Sequence, residues 1–456
     1  MPTMVQSDAR SRMNLVLLCL FLAVVICFGG ASRADVLSQA VVRVAAIAFI
    51  ALLGIQLDRQ NWRQIRLPVL FILGIGAVIA VQLIPVPPGL WSSLPGRQTY
   101  VQGFELGGIA PVWRPISLTP DLTLNSLLAV LPPLALALAL GLIDRRHRNL
   151  LVPLLIAGAG VSALIGLFQI SSGSFYFYRI TNEGSPVGVF ANRNHQALLL
   201  AAMLPVIAAW AALLHRDPNY RKARKWMAMC IAAPILPILL ITGSRGGLFA
   251  GLLGAVIGLG MTVRDNRHSK RRPLGTRYKL IGLAPLAVGA VAIIAVYLLS
   301  RDLAFQRLFN EDAPGVRSTL QPLYLHMIRD FWPIGSGFGS FDTVFRTYEP
   351  QFHLELTYLN HAHNDFAEVV MEGGVLALVL MVIFVLWLAA RTWLLWTKRL
   401  ESDEQLLGRA GSAVAWLVLF SSAIDYPVRT PLLAVLMTIA CYWVLDGSRR
   451  AEDRSP

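Results

Sequence analysis

Long apolar runs alternate with short polar segments along the whole chain. Each run has roughly 20 residues, the length that crosses a bilayer as an α-helix. The pattern predicts about twelve such helices, at residues 14–31, 36–57, 67–86, 122–143, 149–170, 195–214, 226–242, 247–263, 280–300, 366–390, 410–424 and 431–446. We therefore expect an all-α, polytopic membrane protein in which residues 1–456 form a single transmembrane domain.

The composition supports a membrane protein, because 55% of the residues are hydrophobic and only 14% are charged. Soluble domains carry about 25% charged residues. The formal net charge of +14 would suit a nucleic-acid-binding protein, but the Lys and Arg residues are concentrated in alternate loops. That distribution follows the positive-inside rule. It predicts cytoplasmic termini and a chain that binds membrane lipids and no nucleic acid.

The first apolar run permits a second interpretation. It follows Arg10 and Arg12 and precedes Ala31-Ser32-Arg33-Ala34, which is also typical of a secretory signal peptide with its cleavage site. Cleavage would leave the other spans in the same orientation, so the rest of the topology does not depend on this choice.

The largest loop on the outer side is predicted at residues 301–365, and we expect it to carry short helices. Within it, apolar residues recur with a helical period, which predicts an amphipathic helix lying on the outer membrane surface. Because proline is tolerated in a first helical turn, Pro322 indicates a start near Ser318 or Thr319. Pro333 ends the helix, and a glycine-rich loop follows.

A polar cluster borders the tenth predicted helix, in the sequence HLELTYLNHAHNDFAEVVMEGG. His361 and His363 would share one face of an extended chain. Asn364 can cap the helix that follows, and Asp365 and Glu368 then lie in its first turn, where the helix dipole favours acids. A histidine has a reference pKa of about 6.5, so either ring is a candidate general base.

The sequence signals for metal binding or nucleotide binding in this region are weaker than the signal for a general base. His361, His363 and Asp365 offer nitrogen and oxygen ligands to a metal, but their spacing matches no strong zinc motif. The glycines of the outer loop are not followed by Lys-Ser/Thr and do not form a nucleotide-binding loop. We therefore expect neither a metal nor any other cofactor.

Three arginines at the predicted outer ends of helices are candidates for binding a diphosphate. Arg245 lies in the turn TGSRGG between two apolar runs, against the positive-inside trend. Its glycine neighbours allow close approach of an anion, and a guanidinium binds phosphate through two parallel hydrogen bonds. Arg317 begins the surface helix, and Arg193 lies at the mouth of the sixth span. Membrane-interface snorkelling or solvation would also explain each of them.

Several short motifs follow one another in a characteristic order. They are FANRNHQA (190–197), TGSRGG (242–247), Arg317 with the later GSGFGSF (335–341), HAHND (361–365), EGG (372–374) and DYPVRTP (425–431). In this order and topology the whole chain resembles the O-antigen ligase and polysaccharide polymerase superfamily of bacterial integral membrane proteins.

The resemblance implies a metal-independent, inverting glycosyltransferase whose site faces the periplasm from the inner membrane. Its donor would be a glycan on undecaprenyl diphosphate, and its acceptor a growing glycan or lipid A–core. Arg245 and Arg317 would hold the diphosphate, while His363 would deprotonate the acceptor hydroxyl. The choice between His363 and His361 stays open, as does that between ligase and polymerase. A transporter or flippase of lipid-linked glycans is the alternative function.

Overall fold

A computed structural model describes residues 4–214, 217–263, 315–351 and 359–452. These residues are mainly helical. The helices are α1 (Met4–Phe28), α2 (Leu37–Gly54), α3 (Arg59–Val81), α4 (Pro88–Ser93), α5 (Gln98–Leu106), α6 (Pro120–Leu128), α7 (Leu131–Leu142), α8 (Arg145–Arg148), α9 (Leu151–Ser172), α10 (Arg193–Ala212), α11 (Pro218–Ala232), α12 (Ile235–Thr242), α13 (Arg245–Val263), α14 (Gly315–Phe331), α15 (Phe341–Tyr348), α16 (Asp365–Thr397), α17 (Asp403–Ser422) and α18 (Pro431–Glu452). Strands β1 (Pro85–Val86) and β2 (Arg114–Pro115) pair antiparallel.

Nine stretches within the described residues are long and apolar enough to cross a membrane, and this confirms a multi-pass membrane protein. They are Arg10–Phe28, Leu37–Gly54, Asn61–Val81, Pro120–Leu142, Leu151–Ser172, Arg193–Ala212, Asn219–Thr242, Asp365–Thr397 and Pro431–Glu452. The runs predicted at 247–263 and 410–424 are also helical, in α13 and α17. The run at 280–300 lies outside the described residues, so a twelve-helix topology stays a prediction.

The interior of the bundle is formed around α10 and α18. In the apolar stretch of each helix that is long enough to cross a membrane, 78% is buried inside the protein. Helix α17 packs against α18 through small residues. A side chain on Gly408 would meet the backbone of Gly447, and one on Gly411 would overlap the carbonyl of Ala440. Small residues let two backbones approach closely, which is how helices pack where lipid supplies no hydrophobic drive.

Helix α14 begins earlier than the sequence predicted. Its first residue is Gly315, so Pro322 lies inside the helix and not in its first turn. A proline there removes one backbone donor. The helix nevertheless continues to Phe331, whose side chain is buried with Tyr324 and Met327 in a second, smaller apolar cluster. The amphipathic pattern predicted the helix correctly, but the proline rule misplaced its start.

Helix α16 breaks at Gly374, whose φ of 61° and ψ of −149° suit glycine alone. A Cβ at this position would overlap the carbonyl oxygen of Pro333. At the break the N–H of Val375 leaves the helical ladder and donates to that carbonyl at 2.8 Å. The carbonyls of Met371 and Glu372 are thereby available to partners outside the helix.

The glycine-rich loop after α14 packs into this break. The N–H groups of Ser336 and Gly337 donate to the two available carbonyls at 3.1 and 2.9 Å. Gln82, just after α3, donates to the carbonyl of Glu372 at 2.8 Å and accepts from the N–H of Phe338 at 3.0 Å. The EGG motif is therefore the point where the loop, α3 and α16 are joined.

We expect Gly374→Ala to destabilise the protein, because alanine strains this backbone by about 1–3 kcal/mol and also meets Pro333. The measurement is the thermal unfolding midpoint of detergent-purified protein. Gly160→Ala in α9 is the matched control, since no atom of the described residues lies within 4 Å of its added Cβ. Equal midpoints for the two variants would show that the break is not needed for stability.

Candidate active site

The candidate site lies where the start of α10, the residues before α16 and the connection between α17 and α18 meet. Backbone hydrogen bonds tie two of these, the residues before α10 and the start of α18, to the segment that follows α1. Leu432 at the start of α18 donates to the carbonyl of Gly29 after α1 at 3.0 Å, and Ala191 before α10 donates to Gly30 at 3.1 Å. These bonds hold the ends of separate helices beside one another, and polar side chains fill the space between them.

The backbone before α16 turns at the second of the two histidines. His363 has a φ of 50°, an uncommon conformation for a residue other than glycine. The prediction of an extended chain here is therefore wrong. Asn364 caps α16 as predicted, accepting from the N–H of Ala367 at 3.1 Å. Both imidazoles still pack on one ring, with centroids 4.2 Å (His361) and 5.0 Å (His363) from that of Tyr426.

His363 is held by Asp425, its Nδ1 lying 3.2 Å from Oδ1 of that carboxylate. Burial alone would raise the pKa of Asp425, but the hydrogen bond to His363 and the charges of His195 and His363 lower that pKa to about 2. An ionised carboxylate only accepts, so the Nδ1 of His363 must carry the proton. The lone pair is then on Nε2, as a general base requires.

His361 is held by a different carboxylate. Its Nδ1 lies 2.8 Å from Oε1 of Glu368, and Oε2 of Glu368 accepts from the N–H of Ala362 at 2.8 Å. The same Oε1 is also 3.0 Å from Nη2 of Arg429. Burial lowers the pKa of His361, and this outweighs the opposite influence of Glu368. The negative charge that orients His361 is therefore shared with a guanidinium and a backbone amide.

Arg429 joins the connection after α17 to three acids of α16. Its Nε donates to Asp365 at 3.0 Å, and its Nη2 lies 3.0 Å from Glu368 and 3.4 Å from Glu372. Helical periodicity places these acids on one face. Burial would lower the pKa of Arg429, but the three carboxylates raise it, so the guanidinium stays charged. Ser422 completes the cluster by donating to Asp365 at 3.3 Å.

The turn that carries Arg245 lies beside the dyad of His363 and Asp425. Gly243 ends α12 with a φ of 64°, and Arg245 is the first residue of α13, with an exposed side chain. A Cβ on Gly246 would overlap the side chain of Ile424, the residue before Asp425. The structure therefore brings Arg245 and the dyad, which are far apart in sequence, to the same end of the bundle.

The other two predicted arginines, Arg193 and Arg317, each lie in the first turn of a helix. Arg193 is the first residue of α10, half-buried, and its N–H donates to Oδ1 of Asn182 at 3.0 Å. The cap predicted for this helix is confirmed, since Asn192 accepts from the N–H of Asn194 at 2.8 Å. Arg317 lies in the first turn of α14, and its side chain is outside the described part of the structure.

Asp425 and Arg429 are functional candidates that the sequence reasoning missed. Both lie in the DYPVRTP motif, which was noted only as a mark of resemblance. The sequence signal that could have identified these two residues is a pair of charged side chains between two apolar runs. Within the described residues, no three His, Cys, Asp or Glu side chains are arranged to hold a metal ion. The groups that are present can take up a proton and, on the side of Arg245, meet an anion.

Two comparisons with known proteins agree with the resemblance. Residues 230–382 match the family model of the O-antigen ligases. The chain is also similar to the exopolysaccharide production protein ExoQ of Rhizobium meliloti (strain 1021), with 26% identity over 233 residues. That match covers 50% of this chain and 50% of the relative, so it spans half of the relative's length. Both matches confirm the resemblance to the O-antigen ligase and Wzy-type superfamily.

Proposed function

We propose that this chain, with its similarity to O-antigen ligases, is a glycosyltransferase that moves a glycan from undecaprenyl diphosphate to an acceptor hydroxyl. The observation that carries the proposal is the dyad of His363 and Asp425 beside the turn of Arg245. A base next to an anion-binding group is what such a transfer needs. The distribution of Lys and Arg supports a site on the periplasmic face of the bacterial inner membrane.

The reaction follows from the dyad. Nε2 of His363 takes the proton of the acceptor hydroxyl, and Asp425 stabilises the imidazolium that forms. The acceptor oxygen attacks the anomeric carbon from the face opposite the diphosphate, so the new bond forms with inversion as the carbon–phosphate-oxygen bond breaks. The lipid diphosphate leaves with the bonding electrons. Arg245, with Arg317 and Arg193, stabilises the negative charge that gathers on the leaving diphosphate. This electrostatic stabilisation is strongest near a low-dielectric interface.

Between the two histidines, His363 is the better base. Glu368 spreads its charge over Arg429 and the N–H of Ala362. Asp425 is contacted by His363, His195 and the side chain of Asn194, and no guanidinium is among its partners in the described residues. The less neutralised carboxylate stabilises a protonated imidazole more strongly. We therefore assign proton transfer to His363, and to His361 the role of holding the segment against Tyr426.

The proposal is tested with purified protein in proteoliposomes that contain an undecaprenyl-diphosphate-linked glycan. Release of undecaprenyl diphosphate together with a longer product is the expected result. Supplying lipid A–core or a second lipid-linked glycan as acceptor separates a ligase from a polymerase. Movement of intact lipid-linked glycan across the bilayer, with no new glycosidic bond, would instead support the transporter and overturn the proposal.

Arg245→Lys should lower the transfer rate at least about tenfold, because lysine keeps the charge but cannot form the two parallel hydrogen bonds to a phosphate. The control is Arg346→Lys, an exposed arginine on α15 that pairs with Asp342 at 2.9 Å. It should change the rate little. Wild-type activity in Arg245→Lys would mean that Arg245 only anchors the turn at the membrane interface.

A further inference from the structure

His195 is a buried histidine that the proposed reaction does not yet use. It lies in the first turn of α10 with only 1% of its surface exposed. Among the residues that the structure describes, neither ring nitrogen has a hydrogen-bond partner, and Oδ2 of Asp425 is likewise buried and unbonded. These unbonded atoms face each other, with Nε2 of His195 3.9 Å from Oδ2. Buried polar groups normally have partners, so such a pair requires an explanation.

The surroundings of His195 hold its ring in place. Its imidazole packs edge-on to the ring of Phe190, with centroids 6.1 Å apart, and to that of Tyr426 at 5.3 Å. Tyr426 also contacts His361 and His363. Aromatic neighbours fill space around the ring without satisfying its nitrogens. Within the described residues, the acceptor placed near Nε2 is therefore the carboxylate that already binds His363.

We propose that His195 is a positioning residue for the base, donating from Nε2–H to Oδ2 of Asp425 while Oδ1 holds His363. This rests on the proposed function. A distance of 3.9 Å exceeds a hydrogen bond, and a shift of about 1 Å closes it. Hydrogen bonds of catalytic groups are often long without substrate and tighten when it binds. One carboxylate then bridges His195 on α10 and His363 in the segment before α16.

The bridge has a consequence for the base. A donor on Oδ2 draws negative charge away from Oδ1, so the carboxylate holds the proton of His363 less strongly. Among the described residues, the groups that face Asp425 are His195 and Asn194 on α10, His363 before α16, Asp365 on α16 and the ring of Tyr426. Of these, only the two histidines can donate to the carboxylate from a ring nitrogen. His195 therefore weakens the hold of Asp425 on the proton of His363 and fixes the carboxylate plane.

The test compares His195→Leu, which removes the donor, with His195→Gln, whose amide N–H can replace Nε2–H. In His195→Leu the acid limb of the transfer rate should move up by about one pH unit, since His363 binds its proton more tightly. At a given pH on that limb, the transfer rate of His195→Leu should therefore be about tenfold below that of wild type. His195→Gln should keep a profile close to wild type. An unchanged profile in both variants, or an equal shift in both, would overturn the positioning role.

A second readout does not depend on transfer. The protonation of His363 can be followed by NMR of histidine-labelled protein, with His363→Ala used to assign its signal. We expect His363 to titrate at higher pH in His195→Leu than in wild type or His195→Gln. An unchanged titration would overturn the inference even if the protein were inactive. Absence of transfer in wild type, with the expected titration shift present, would overturn only the proposed function.

If His195→Leu does not fold, the comparison uses His195→Gln and His195→Asn, whose shorter amide cannot reach Asp425.

Discussion

His363→Ala should lower glycan transfer by about 10²–10⁴-fold, the usual contribution of a positioned general base. Removing the imidazole leaves the acceptor hydroxyl with no group to take its proton. The bundle should stay folded, because the ring is partly exposed, at 18%, and bonds a carboxylate that also faces His195. The measurement is the rate of release of undecaprenyl diphosphate at equal amounts of membrane-inserted protein.

Two other histidines provide the comparison. His326 on α14 is 61% exposed and pairs with Asp330 at 3.5 Å, so His326→Ala should change the rate by less than about twofold. His361→Ala should reduce the rate less than His363→Ala does, since its role is to hold the segment. If His361→Ala were inactive while His363→Ala transferred normally, the base would have to be reassigned to His361.

The helices were predictable from the sequence because each one needs its own apolar run, whatever its neighbours are. Helix caps were predictable for a similar reason. Asn192 and Asn364 act on amides two or three residues away, so local spacing contains the information. Helix α14 also followed from its period, although the position of Pro322 suggested too late a start.

The partners of the histidines could not be predicted in this way. Asp425 lies 62 residues after His363, and Arg429 lies 64 residues after Asp365. Which side chains meet depends on how α17 and α18 return to the start of α16, and no local pattern encodes that path. The left-handed conformation of His363 is likewise imposed by its surroundings. Sequence reasoning thus found the reactive residue types but not the pairing that distinguishes one histidine from the other.

Arg429→Met should prevent the protein from accumulating in a folded form. The guanidinium is 19% exposed, and Glu368 and Glu372, which face it, are 0% exposed. Breaking a buried ion pair by removing one partner typically costs about 3–5 kcal/mol, because the remaining charge has no compensation. Here three carboxylates of α16 would lose their shared cation. The thermal midpoint and the yield of purified protein measure the effect.

Two further variants separate this cost from a general sensitivity to losing an arginine. Arg346→Met breaks an exposed pair with Asp342, whose side chains are 58% and 28% exposed, and should cost less than about 1 kcal/mol. Adding Glu368→Gln and Glu372→Gln to Arg429→Met should recover part of the lost stability, since two of the uncompensated charges are gone. The rescued protein should still transfer poorly, because Arg429 also ties the segment that carries Asp425 to the helix that follows His363. A wild-type midpoint in Arg429→Met alone would mean that the acids are neutralised by protons and that the cluster does not depend on the cation.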